Sequence, residues 1–569
     1  MKTIIEILSN KVSEAFESCG YSKELGAVKV SDRPDLCQFQ CNGAFSGAKL
    51  YKKAPMLIAK EIIEKLQGDS IFANLSVVGA GFINIDVKDS FLLDYVADIL
   101  ANDHLGIKQT TKNETIFLDY GGPNAAKSLH VGHLRSAIIG ESLKRLANAT
   151  GRKTVSDVHL GDWGLQMGLV MAELEERGDY SLSGEEWSNI YPLASQKSKE
   201  NEAFKQKAQD ITAKFQMEDP KYYPLWKKIM EISVAEIKET YDLLDVSFDL
   251  WHGESDSKKY MNTLISILES KGLLVESLGA MVVDVSEPTD NSPIPPIIIK
   301  KSNGASGYAT TDLATFIERE ELCHPTELWY VVDNRQSLHF TQVFRCAKKS
   351  SLVPQDTAIY HLGFGTMNGK DGKPYKTRDG EVMKLRDFYN TVYNTVFKRV
   401  EESSFSDGAD KKDIAHKITI AAMKFGDLMN HRSKNYIFDI DKFTASEGKT
   451  GTFLLYTIAR INSILKKVGN VTANEKADKI YSLSEKELFL TLALSNETFE
   501  LAYNEKAPNI ICENAYKIAS DFSKFYSENH IVGEQDQLKK SAWINLCKAT
   551  KTILEKHLYI LGIEPVEIM

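Results

Sequence analysis

Lys127, His130 and His133 are the residues in this sequence whose types and spacing best suit them to chemistry. They lie in the stretch DYGGPNAAKSLHVGH (119–133), which follows the apolar run TIFL and leads into LRSAIIGESLKRL. That order reads as a strand that ends, a Gly/Pro/Asn loop that turns, and a helix that begins near His130. A helix start presents free N–H groups and a partial positive charge, so an anion such as a phosphate is well placed there. On one helical turn His130 and His133 share a face. Gly132 lets a ligand approach the backbone closely, and Lys127 adds a mobile positive charge. As metal ligands the pair lacks the Glu of H-E-x-x-H. The loop also matches neither G-x-x-x-x-G-K-[ST] nor G-x-G-x-x-G. For an isolated H-x-x-H, two helix residues without function is the ordinary reading.

The elements that must position these residues follow from the apolar pattern. From 112 to 390, short apolar runs (TIFLDY, VSDVHL, AMVVDV, PIIIK, ELWYVVD and IYHLGFG) are separated by longer stretches of helical period. The helical period is clearest from Leu134 to Ala149 and from Tyr223 to Asp242. Alternating β and α segments imply a parallel sheet covered on both faces, with ligands at the carboxyl ends of its strands. Residues 1–110 read as a small α+β unit, with a helix at MLIAKEIIEKL and a strand at FINIDV. Beyond the turn-rich EESSFSDGAD (401–410), DIAHKITIAAMKFGDLMN, TFLLYTIARINSILKK, KELFLTLALSNETFELAY and SAWINLCKATKTILEKHLYI predict a helix bundle over 401–569.

Composition sets the outer bounds. With 569 residues the chain needs several cores, and 43% hydrophobic with 26% charged residues excludes a disordered chain. The net charge of −9 names no partner, because nucleic-acid binding needs a local basic surface rather than a basic total. Seven scattered cysteines suit reduced thiols better than a disulfide framework or a structural zinc. The amino terminus is a poor signal peptide, and no run approaches a membrane span. The expectation is a cytoplasmic protein with no membrane partner.

His130-Val-Gly-His133 resembles the His-Ile-Gly-His signature of class I aminoacyl-tRNA synthetases, and its wider context resembles the arginyl-tRNA synthetase family. HLGDWGLQMG (159–168), FDLWHGES (248–255), GYATTDLAT (307–315), VVDNRQSLHF (331–340) and HLGFGTMNGKDGKPYKTRDG (361–380) follow in that family's order. FQCNGAFSGAKLYKKAP and GAGFINIDV are similar to its amino-terminal module. NHRSKNYIFDID, EGKTGTFLLYTIARI and LYILGIEP are similar to its helical carboxyl-terminal domain.

The resemblance implies a Rossmann-like α/β catalytic domain with insertions over 111–400. An α+β domain binding the tRNA elbow (1–110) would precede it, and an all-α anticodon-binding domain (401–569) would follow. The activity implied is formation of arginyl-adenylate and pyrophosphate from L-arginine and ATP, then transfer of the arginyl group to the terminal adenosine of tRNA(Arg). ATP enters as a substrate, with Mg2+ carried on its phosphates, and a monomer suffices for the architecture. Asn124, Tyr308, Asp312 and Gln336 match the family's arginine-binding positions, Asp119 stands where the family has an acid, and Glu254 is a further candidate. Carboxylates and planar acceptors suit a guanidinium, whose five donors form a rigid fork that never loses its charge. Tyr308 and Asp312, one helical turn apart, can face one ligand.

The second class I signature, Lys-Met-Ser-Lys-Ser, is altered here. Pro374-Tyr-Lys-Thr-Arg378 takes its place, with Thr377 where the second lysine belongs. Lys127 is the candidate for the missing charge. Lys370, Lys373, Lys376 and Arg378, among Gly369, Gly372 and Gly380, would form a positive lid over the triphosphate with Thr377. Without the histidine loop this segment would read as a solvated turn. Tyr456 and Arg460, on one helix face, suit a base stack with a phosphate contact or simply a core Tyr beside a surface Arg. The tail PVEIM departs from the family, which usually has Arg at the position of Ile568. Two alternatives stay open at this point: a ligase of the same architecture using another amino acid such as lysine, and a tRNA-binding relative without catalysis.

Overall fold

The computed structural model describes residues 1–180, 185–302, 308–373, 375, 383–402, 410–469 and 479–568. The first module is α+β, as its pattern predicts. Its antiparallel sheet runs in the order Val28–Val30, Phe39–Cys41, Phe82–Val87 and Phe72–Val78, and the helices Ile4–Ser18 and Pro55–Leu66 pack against it. The first helix begins with a capping box between Thr3 and Glu6.

The central sheet has four parallel strands in the order Ala358–His361, Glu327–Val331, Thr115–Tyr120 and Lys153–Asp157. Every residue of Thr115–Tyr120 is buried, because the strand's two faces enter two different cores. Ile116, Leu118 and Tyr120 pack with Leu134 and Ile138 of the helix Val131–Ala149. Phe117 joins the other core, with Phe316 and Val343 from the helices Tyr308–Cys323 and Ser337–Lys349. Strand order reverses between Thr115–Tyr120 and Glu327–Val331, which opens a crevice at their carboxyl ends.

Two of the six runs read as parallel strands belong elsewhere. AMVVDV and PIIIK contribute Ala280–Val283 and Ile297–Lys300 to a separate antiparallel sheet with Val275–Ser277. The turn Leu278–Gly279, both residues at positive φ, closes a tight hairpin that only antiparallel strands can share. Ile298 faces outward at 47% exposure, so the apolar run at 297–300 is buried on one side only.

A helical insertion, Leu165–Arg177, Glu185–Glu200, Glu202–Gln216 and Tyr223–Leu243, builds a third core around Met167, Phe204 and Phe215. Ala125 and Ala126 of the signature loop are part of that core. The carboxyl-terminal region is a helix bundle, as predicted. KELFLTLALSNETFELAY forms two helices, Leu483–Ala493 and Ser495–Glu505, rather than one run, and Pro508 opens the next helix, Pro508–Glu528. All seven cysteines are free thiols. Among the described residues no helix is long and apolar enough to cross a membrane.

Candidate active site

The site is built on one register row at the carboxyl ends of the parallel strands: His361, Tyr330, Asp119 and Asp157, side by side. Just above it the chain leaves Tyr120 through Gly121 and Gly122, at φ +91° and +50°, a turn that residues with a Cβ rarely make. Gly121 N–H donates to Ser136 Oγ (2.7 Å), whose hydroxyl donates to Val331 O (2.6 Å). The loop is thereby tied both to the helix that follows and to the neighbouring strand.

His130 caps the helix Val131–Ala149. Its Nδ1 accepts from Gly132 N–H (3.0 Å), and His133 Nδ1 accepts from His130 N–H (3.0 Å). With both Nδ1 atoms held as acceptors, each neutral ring carries its proton on Nε2. The rings lie 4.0 Å apart between centroids. Burial and the charge of Lys127 push His130 below the usual imidazole range, and burial beside His130 pushes His133 down to about 3. The pair is therefore neutral at physiological pH. A Cβ on Gly132 would stand 2.8 Å from His130 Cε1, so a larger residue there would have to turn the His130 ring. The Lys127 ammonium rests on the Tyr191 ring, 4.1 Å from its centroid.

The chain after the lysine/glycine segment returns to this helix start. Val131 N–H donates to Met383 O (3.1 Å), and Leu385 N–H to Leu129 O (2.8 Å). Gly369, Lys370, Gly372 and Lys373 form a tight turn, with Lys370 Nζ 3.3 Å from Asp439 Oδ2. Lys376, Thr377, Arg378 and Gly380 lie outside the described residues.

The strand ends also carry acidic side chains. Glu254 is anchored by its N–H, which donates to Leu160 O (3.0 Å). Burial, with Asp162 and Asp312 nearby, pushes its carboxyl up to about 7. Asn124 pairs by its backbone with Gly161. Asp312 lies inside the helix that starts at Tyr308, so it is not a helix cap, and its Oδ2 is 2.5 Å from His339 Nε2. Gln336 is exposed at the end of the short turn Asn334–Gln336. Asp119, expected among the arginine-pocket residues, accepts through Oδ2 from Arg319 Nη2 (2.5 Å). The Arg319 guanidinium is packed 4.6 Å from the Phe117 centroid and 5.1 Å from that of Tyr330.

The sequence reading missed Arg319, His339 and His159. A charged residue on the otherwise apolar face of FIERE was the signal for Arg319. In the carboxyl-terminal bundle, Arg460 Nη2 donates to the Tyr456 hydroxyl (2.9 Å), and its guanidinium lies between the Tyr456 and Tyr526 rings. Tyr456 also lines a cleft of about 550 Å3 with Arg399, Asp441, Thr444, Glu447 and Thr452.

Comparison with known proteins agrees over the whole chain. Residues 95–440 match the family described as tRNA synthetases class I (R), catalytic domain. Residues 2–87 match the arginyl tRNA synthetase N terminal domain, and 454–569 the DALR anticodon binding domain. An arginine–tRNA ligase of Alkaliphilus oremlandii is 46% identical with both chains fully covered, and one of Agathobacter rectalis is 45% identical over 99% of each. Arginyl-tRNA synthetase structures from Plasmodium falciparum and Thermus thermophilus share the fold, each with a TM-score of 0.84 over the full length of both chains, at 23% and 20% identity. The chain belongs to the arginyl-tRNA synthetase family.

Proposed function

We infer that this chain is an arginine–tRNA ligase, which activates L-arginine with ATP and transfers the arginyl group to the terminal adenosine of tRNA(Arg). One observation carries the reading: an anion-directed helix start and an acidic pocket open side by side at the ends of the same parallel strands. A polyphosphate and a guanidinium need that pair of environments.

In the activation step the arginine carboxylate attacks the α-phosphorus of ATP, and pyrophosphate leaves. No protein nucleophile is needed, so catalysis rests on positioning and on stabilising charge. His130 and His133 would donate through Nε2–H to phosphate oxygens beside Gly132. Lys127, swinging from Tyr191, would meet the charge of the departing pyrophosphate. Lys376, Thr377 and Arg378 belong to the loop proposed to cover the phosphates. Asn124, Tyr308, Asp312, Gln336 and Glu254 are the proposed arginine ligands, while Asp119 acts from behind through Arg319. Among the described residues no group of three His, Cys, Asp or Glu side chains is placed to hold a metal. In this reading Mg2+ would arrive on the phosphates of ATP, and no step is routed through it.

We assign tRNA elbow binding to 1–110, catalysis to 111–400 and anticodon binding to 401–569, with Tyr456 and Arg460 facing the tRNA. The test is release of pyrophosphate from ATP with total tRNA present. Release with arginine and not with lysine supports the assignment, and release with lysine alone overturns it.

A further inference from the structure

His159 has no part in this scheme, yet it sits between its parts. It follows the strand Lys153–Asp157 with a left-handed backbone, φ +43°, a conformation uncommon outside glycine. The loop that carries it is stitched to both neighbours. Gly161 N–H donates to Pro123 O (2.9 Å) and Ala125 N–H to Gly161 O (2.9 Å), on either side of Asn124. Leu160 N–H donates to His252 O (2.8 Å) and Glu254 N–H to Leu160 O (3.0 Å). Both ring nitrogens of His159 are shut off from solvent, and Nδ1 faces the Asp157 carboxylate.

The charges around the ring come from four elements. Asp157, on its own strand, places Oδ2 3.4 Å from Nδ1. Asp119 faces it from the adjacent strand, with Arg319 behind both acids at 2.5 and 3.9 Å. Glu254 and Asp162 also lie within electrostatic reach of the ring. His252 is turned away, onto Glu318 at 3.1 Å. Burial lowers the imidazole's affinity for a proton, but Asp157 and Asp119 outweigh it and raise the group to about 9.

We propose that His159 is a specificity residue for the guanidinium: its imidazolium balances the acidic pocket while the pocket is empty, and yields its proton to solvent as arginine enters. The neutral ring nitrogen then accepts a guanidinium N–H. The inference rests on the arginine reading of this pocket. Two cations cannot share it without repulsion, and of the two only the imidazolium can lose its charge.

The test is calorimetric titration of L-arginine into the full-length protein at pH 7.5, in phosphate and in Tris, which counts the protons released. The wild type should release about one proton more per arginine than His159→Asn, by linkage between the two binding events. Asn tolerates the left-handed backbone, so the variant keeps the loop. In parallel, the arginine KM in pyrophosphate exchange should fall by up to about tenfold per unit between pH 7 and 9 in the wild type and stay flatter in the variant. Equal proton release by the two proteins overturns the proposal. Absence of arginine binding in both overturns the arginine reading of the pocket, and this inference with it.

Discussion

The backbone of the signature loop fixes the tautomers of its two histidines, and that determines what each can offer a ligand. Gly132 N–H and His130 N–H occupy the Nδ1 atoms, so only Nε2–H is free to reach a phosphate. Gly132→Ala puts a methyl 2.8 Å from His130 Cε1 and must turn that ring. Pyrophosphate exchange should fall at least tenfold while the thermal midpoint barely moves, because Gly132 is exposed. Replacing Lys127 by Met should lower exchange by about 10²–10³-fold, the usual scale for removing one charge-stabilising donor. Since both histidines titrate below their ordinary range, the KM for ATP should be level from pH 7 to 9. The histidine loop was legible because its residues are adjacent in the chain. Arg319 was not, because its partner Asp119 is 200 residues away and only the sheet brings them together.

At the scale of elements, the signature helix is held from the carboxyl-terminal side by Arg135. Its Nε lies 2.9 Å from Asp427 Oδ2 on the helix Lys411–Leu428, with both side chains fully buried. Its Nη1 donates to Lys434 O (2.9 Å), and its guanidinium packs 5.1 Å from the Tyr436 centroid. Breaking a buried pair from one side strands the other charge and costs about 3–5 kcal/mol. Arg135→Met should therefore lower the urea midpoint sharply. Arg135→Met with Asp427→Leu should recover much of the loss, and a double-mutant cycle over the four proteins measures the coupling. Strands buried on both faces were legible as short apolar runs. The antiparallel sheet at 275–300 was misassigned because IIIK looks the same whether one face or both are covered. The Leu-Gly hairpin that distinguishes them was a two-residue signal. The Pro508–Glu528 helix carried a local signal in Pro508 at its first position, whereas nothing in the chain near Leu494 marked the break there.

For the whole molecule, the buried histidines set opposite pH limits. Burial lowers His133 to about 3 and His557 to about 4. Their contribution to stability is present above the unfolded value of about 6.5 and is lost as pH falls towards 4. His159, raised to about 9, contributes fully below about 6.5 and loses that contribution as pH rises through 9. Thermal unfolding across pH 4–10 should show a maximum between these limits, and His159→Asn should flatten the alkaline side. Charge balance said nothing of the partner at this scale, since −9 is an average over surfaces of both signs. Order along the chain was more informative. The described parts of the blocks from 119 to 373 appear in the order in which one fold brings them to the same strand ends. The central claim is that these blocks make an arginine-specific ligase. Aminoacylation of total tRNA with each of the twenty amino acids, run with ATP and magnesium, tests it most directly. Charging with arginine alone is the predicted result. Charging with any other amino acid, or none while tRNA still binds, would contradict it.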